Sequence, residues 1–239
     1  MVYGDKKVGK STFASRLKNP VFFDCEKALR SVTMPDGKGV TALPVNSWEN
    51  ILEHTKLFLD NPPSKTGVNT IVVDGMHECY AYLREYILKA NNVEDENEGV
   101  LSYGKGKRVI QTHMRQWFNN LKRLTENGYG VVLVAHSKIV EISNNGTKYD
   151  KRVPLISGDA VESGWEIIKP CVDLIIYAWK VEARAGARHM MTTKGTQLYE
   201  AADPTSDARL PAEVPFSYKG IEDAYNKTTT KKASDNESS

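Results

Sequence analysis

Near the start of the chain Gly4-Asp5-Lys6-Lys7-Val8-Gly9-Lys10-Ser11-Thr12 is nine residues whose first eight match the pattern G-x-x-x-x-G-K-[ST] in full. They follow the short apolar run Met1-Val2-Tyr3 and precede a helix-compatible stretch over 13–17. That context dictates strand, loop and helix. Glycines let successive backbone N–H groups wrap the oxygens of a phosphate, and the helix that follows adds partial positive charge at its N-terminus. Lys10 then has the reach for terminal phosphates, and the Ser11 hydroxyl is a hard ligand for Mg²⁺. All nine residues are expected to line the phosphate site, on the C-terminal end of a central strand in an α/β fold. Three residues make a short strand where about five are usual, which points to a true start upstream of Met1.

The rest of the chain alternates in the same sense. Apolar runs at 21–24, 70–74, 131–135 and 174–178 are continuous rather than alternating, as in strands covered on both faces of a parallel sheet. Between them, Trp48, Ile51, Leu52, Thr55, Phe58 and Leu59 recur at helical spacing behind Ser47, a natural N-cap. A longer helix carries Val109, Ile110, Met114, Trp117, Phe118, Leu121 and Leu124 and stops at Asn127-Gly128. Beyond Tyr177, stretches 188–193 and 196–199 flank Lys194-Gly195 and predict a β-hairpin added to the sheet. From Asn226 onward Ala233 is the only apolar residue, so 226–239 is expected to be a disordered polar tail behind a core of 1–225.

Charge narrows the function classes. With 32 Lys+Arg against 30 Asp+Glu, the net charge of +2 excludes a polycation, so any nucleic-acid contact must be local. The three cysteines, Cys25, Cys79 and Cys171, lack metal-ligand spacing and fit a reducing compartment. No apolar stretch reaches the ~18 residues of a membrane span, and no secretory leader is read. A cytoplasmic protein is therefore expected. His54, His77, His113 and His189 are read as structural or surface residues.

A phosphate loop serves kinases and motor ATPases alike, so the second acidic site decides more. Asp74 ends the run Ile71-Val72-Val73, where a carboxylate at a strand's C-terminal edge can hold Mg²⁺. A complete strand–helix unit lies between Lys10 and Asp74. Simple nucleotide kinases place the two motifs on neighbouring strands, whereas ring and filament ATPases insert a strand between them.

The segment Val21-Phe22-Phe23-Asp24-Cys25-Glu26-Lys27-Ala28-Leu29 resembles the strand-end pattern F-x-D-x-E-x-A-L of bacterial RecA-type recombinases. The wider set, 3–29, 70–75, 101–107 and 131–138, resembles phage AAA-family ATPases related to RecA, a group that includes ATP-dependent single-strand annealing proteins of phage recombination modules. The resemblance implies a RecA-like, three-layer α/β sandwich with a mainly parallel sheet extended by a β-hairpin. It implies Glu26 as the residue that activates the attacking water and His136 as a sensor facing the γ-phosphate; Glu78, four residues past Asp74, is expected to have turned away along the following helix. It also implies ATP and Mg²⁺ as ligands and action on single-stranded DNA as a homo-oligomer, ring or filament. A single-strand binding protein is a candidate partner, in the bacterial host cytoplasm. Two loops then face DNA: 91–108, which turns from acidic to Tyr103, Lys105, Lys107 and Arg108, and 138–159, with Lys148, Lys151 and Arg152. A cation from a neighbouring subunit completes such sites, with Arg188 first among Arg184, Lys194 and Arg209. Two other classes stay open from the residues: a P-loop small-molecule kinase and a regulatory nucleotide-binding module without DNA.

Overall fold

The computed structural model describes residues 1–144, 146–157, 164–182, 186–203 and 213–223. In chain order its elements are β1 (Val2–Gly4), α1 (Lys10–Ala14), β2 (Pro20–Asp24), β3 (Thr41–Pro44), α2 (Trp48–Leu59), α3 (Pro63–Thr66), β4 (Thr70–Asp74) and α4 (Met76–Asn91). Then follow α5 (Lys105–Glu126), β5 (Gly130–Asn144), β6 (Thr147–Pro154), α6 (Gly164–Ile168), β7 (Ile176–Val181), β8 (Arg188–Thr192) and β9 (Val214–Pro215). The sheet runs β3-β2-β4-β5-β1-β7-β8-β9, and β6 pairs only with β5. The pairs from β3 through to β7 are all parallel, and β8 and β9 add antiparallel edges. A strand does separate β1 from β4, but it is β5; β2, the strand of the unit between Lys10 and Asp74, lies on the far side of β4. The sheet is that of a RecA-like P-loop fold.

Pleating sorts the strand residues between two cores. Phe23, Ile71 and Val73 face α2, α4 and α5, where Trp48, Ile51, Leu83, Met114 and Trp117 are buried with them. Phe22, Val72 and Val134 face the other way, against Ala14 and Leu29, while Val2, Phe13, Ile176 and Met191 form a neighbouring cluster on α1. Ser47 caps α2 by accepting from the Asn50 N–H at 3.3 Å. Trp117 donates its indole N–H to Thr55 Oγ1 at 3.0 Å, which satisfies a polar group in the larger core. Gly4 is fixed by crowding: a Cβ there would lie 2.0 Å from the Ala178 carbonyl oxygen of β7.

Several expectations change. The helix after the phosphate loop ends at Ala14 rather than reaching residue 17. The antiparallel partner of β8 is β7, not 196–199; Tyr199 instead bridges to Arg152 of β6, because the free edge of β7 offers more ladder bonds than a turn at Lys194-Gly195. Residues 105–108 are the first turn of α5 and not a flexible loop. The 138–159 segment, expected as a hairpin or a mobile loop, is over its described residues the long hairpin of β5 and β6. The polar tail 226–239, Arg184 and Arg209 lie outside the described residues. Among the described residues no helix is long and apolar enough to cross a membrane.

Candidate nucleotide site

Register builds the site. Asp24 pairs with Asp74, Asp74 with Val134, and Gly4 with His136, so the C-terminal ends of β2, β4, β5 and β1 form one edge. The N–H groups of Cys25 and Glu26 both donate to the Asp74 carbonyl, at 3.1 and 3.3 Å, which pins Glu26 beside the strand end. In the phosphate loop Lys7 and Gly9 take left-handed conformations, φ 61° and 97°, the second of which suits glycine.

Lys10 is buried and uses all three ammonium protons: Nζ donates to the Gly4 carbonyl at 3.0 Å, to the Asp5 carbonyl at 2.8 Å and to His136 Nδ1 at 3.3 Å. His136 Nε2 in turn lies 2.7 Å from Glu26 Oε1. An ammonium can only donate and an ionised carboxylate can only accept. The ring roles follow: Nδ1 accepts from Lys10 and Nε2–H donates to Glu26. Burial brings the Lys10 ammonium down to about 8, against the pull of Glu26, Asp74 and Asp5. The hydrogen bond from His136 holds Glu26 below the usual carboxylate range. Burial lifts Asp74 to about 6, opposed by a hydrogen bond from Ser11.

The residues fit Mg²⁺. Asp74 Oδ1 is buried with no hydrogen-bond partner, an arrangement that costs free energy unless something polar meets it. The Ser11 hydroxyl is already bonded to the same side chain. Ser11 and Asp74 are therefore the residues that would hold the ion.

Glu78 does not turn away. Gly75 has φ 99° and caps α4, so Glu78 falls in the first helical turn and folds back toward the helix N-terminus, where a carboxylate is favoured. A Cβ on Gly75 would lie 2.9 Å from Glu78 Oε2 and 3.0 Å from Glu26 N. Glu78 Oε2 is buried without a partner. His189, read as structural or surface, is half-buried, and its Nδ1 lies 3.7 Å from the place of a Cβ on Gly9, with Phe216 beside it.

The residues expected to meet DNA separate into two groups. Tyr103 is 96% exposed, with φ 58°, immediately before the α5 turn that carries Lys105, Lys107 and Arg108. No acid occupies that first turn. In the acidic half of the segment Arg84 of α4 holds Asp95 and Glu96 at 3.2 Å each, and Glu96 is buried while Glu94, Asp95 and Glu98 stay exposed. On the hairpin, Lys148 pairs with Glu141 at 2.8 Å, Lys151 with Glu200 at 2.8 Å and Arg152 with Asp5 at 3.3 Å. Arg152 thus points at the phosphate loop. Arg188 and Lys194 are exposed, at the start of β8 and just past its end. Ser137, whose Oγ donates to Asp5 Oδ1 at 2.6 Å, and the Asp5 side chain carry no signal in the sequence.

Comparison with known proteins gives three findings. The AAA domain family matches residues 1–205. A SPbeta prophage-derived uncharacterized protein, YorG, of Bacillus subtilis strain 168 is 26% identical over 153 residues, 64% of this chain. The chain spans about half the length of that relative, 45% of it. Among solved structures, the KaiC-like protein PH0186 of Pyrococcus horikoshii OT3 is similar with a TM-score of 0.44 and 13% identity, over 82% of this chain and 77% of that one.

Proposed function

The chain belongs to the AAA domain family, a family of P-loop ATPases, and from that premise we propose a Mg²⁺- and ATP-dependent ATPase of phage type that acts on single-stranded DNA, in annealing or recombination, as a homo-oligomer. The observation that carries hydrolysis, rather than transfer to an acceptor, is the contact at 2.7 Å between Glu26 Oε1 and His136 Nε2. It holds an ionised carboxylate at the strand edge beside the phosphate loop, where a water can meet it.

In this reading the loop amides and Lys10 bind the phosphates. Mg²⁺, held by Ser11 and Asp74, supplies positive charge to the phosphate oxygens when bound. Lys10 exchanges the carbonyls of Gly4 and Asp5 for phosphate oxygens, and at neutral pH an ammonium near 8 is still mostly charged. Glu26 accepts the proton of the attacking water, and His136 orients that carboxylate from one nitrogen while sensing Lys10 with the other. Arg188, exposed on the β8 edge, is the first choice for a cation offered to a neighbouring subunit's site.

DNA binding is supported by the first turn of α5. Three cations at a helix N-terminus oppose the helix dipole, and an anion set among them relieves both. Tyr103 beside them offers a stacking face. The test is ATP hydrolysis with and without a single-stranded oligonucleotide, in wild type and in the Lys105→Gln, Lys107→Gln, Arg108→Gln triple variant. Stimulation in the wild type alone is expected, with the log–log salt slope of DNA binding flattened by about 0.7 for each phosphate no longer neutralised. Tyr103→Ala is expected to cost roughly 1–3 kcal/mol of DNA affinity without changing that slope. Phosphate transfer to a small acceptor would establish a kinase instead, and indifference to DNA a regulatory module.

A further inference from the structure

Arg152 is anchored by its backbone on two sides. Its N–H donates to the Leu198 carbonyl at 2.8 Å, and its carbonyl accepts from Glu200 N at 2.9 Å and from the Tyr3 hydroxyl at 3.1 Å. Only the side chain is left to move. Its guanidinium crosses from β6 to Asp5 Oδ1 at 3.3 Å. Asp5 is the first variable residue of the phosphate loop, and its carbonyl accepts from Lys10 Nζ at 2.8 Å. A lysine in this loop reaches the terminal phosphates, so the Asp5 carbonyl marks that end of the site, and Arg152 stands one side chain away from it.

Two features separate this pair from a structural clamp. Its side chains are 41% and 51% exposed, and ion pairs so open to water add little to stability. A carboxylate beside a loop that receives a polyanion is unfavourable for binding, unless a cation masks it and can itself be passed to the incoming phosphate. Guanidinium suits that exchange, since its planar fork matches carboxylate and phosphate oxygens equally well. Ser137 keeps a second hold on Asp5 Oδ1 at 2.6 Å, so the carboxylate retains a donor after the guanidinium leaves.

The geometry points to Arg152 as a cation of the same chain that rests on Asp5 and transfers to the terminal phosphate of a bound nucleoside triphosphate. The inference rests on the ATP reading above and adds a phosphate contact in cis, from the hairpin, to the expected contact from a neighbour.

The experiment measures affinities for ADP and for a non-hydrolysable ATP analogue, both with Mg²⁺, in wild type, Arg152→Gln, Arg152→Lys and Asp5→Asn. Arg152→Gln is expected to lower the preference for the triphosphate by about ten-fold, the loss of one charged hydrogen bond, while ADP affinity stays within about two-fold because ADP lacks the contacted group. Arg152→Lys, a point charge without the fork, should fall between. Asp5→Asn should hold or raise the preference, since it removes the competing carboxylate. A clamp predicts otherwise: Arg152→Gln and Asp5→Asn would weaken ADP and the analogue alike, and that result overturns the inference. An unchanged preference in Arg152→Gln overturns it too. Failure of the wild type to bind either nucleotide removes the ATP reading itself, so the two failures are distinct.

Discussion

Replacing Glu26 by Gln keeps the side chain's size and removes its charge. The amide cannot take a proton from water, and its contact with His136, 2.7 Å in the wild type, ceases to be charge-assisted. Loss of a general base slows turnover by about 10²–10⁴-fold, which is roughly 2.7–5.5 kcal/mol of barrier. A second effect has to be separated from the first. Glu26 is the leading charge that props up the Lys10 ammonium, so without it Lys10 falls below about 8. A lysine near 8 is roughly nine-tenths charged at pH 7, and a lowered one loses its charge sooner as pH rises. Nucleotide affinity in Glu26→Gln should therefore decline with rising pH earlier than in wild type, while at about pH 6.5 it stays within a few-fold. Single-turnover hydrolysis at that pH isolates the chemistry. Turnover within about ten-fold of wild type there would refute the assignment of the base. So would the same defect in Glu78→Gln, a sharper control now that Glu78 lies against the same glycine as Glu26.

Gly106→Ala tests how α5 is placed. A Cβ there would lie 2.2 Å from the Glu96 carbonyl oxygen, a backbone atom that cannot swing aside. Overpacking of this kind costs about 1–3 kcal/mol, so Tm should fall by several degrees and DNA affinity with it; a variant with wild-type Tm contradicts the packing. Glu200→Gln tests the link between β6 and the segment that follows α6, because Glu200 accepts from Lys151 at 2.8 Å and from Lys169 at 2.9 Å. Burial alone would raise Glu200, but the two lysines outweigh it and hold the carboxylate below its ordinary range. Its contribution is thus complete above the ordinary carboxylate pKa and is lost as pH falls through the depressed folded value. Chemical denaturation at neutral pH should show Glu200→Gln less stable by about 1–2 kcal/mol, with the gap closing below about pH 4; a gap that persists in acid points to packing rather than charge.

The parts legible in the sequence are those in which one short stretch contains both cause and effect. The phosphate loop, the Ser47 cap and the stop of α5 at Asn127 each depend on residues within a turn of one another, and the buried strands announce themselves by runs that no solvated face tolerates. Gly104-Lys105-Gly106-Lys107 failed that test. Its composition suggests a loop, yet Gly106 is small because Glu96 of the preceding segment passes against it, and with that approach made the turn is helical. Glu78 misled for a related reason: counting along a helix assumes that the helix starts some residues after the strand, whereas the left-handed Gly75 starts it at once.

Charge pairing was the least legible, and the reason is distance along the chain. Asp5 meets Ser137 across 132 positions and Arg152 across 147. Nothing local to Arg152 distinguishes it from Lys148, earlier on the same strand, whose partner Glu141 lies on the same hairpin. On composition both are cations of one loop and equally available to DNA. The fold divides them: the parallel order β5-β1 sets Gly4 against His136, and the β5-β6 register then carries residue 152 back over the phosphate loop while residue 148 stays toward the tip. Two cations of the same hairpin thereby acquire opposite assignments, one toward nucleotide and one toward solvent. An Arg152 variant should accordingly alter discrimination between triphosphate and diphosphate, and a Lys148 variant should not.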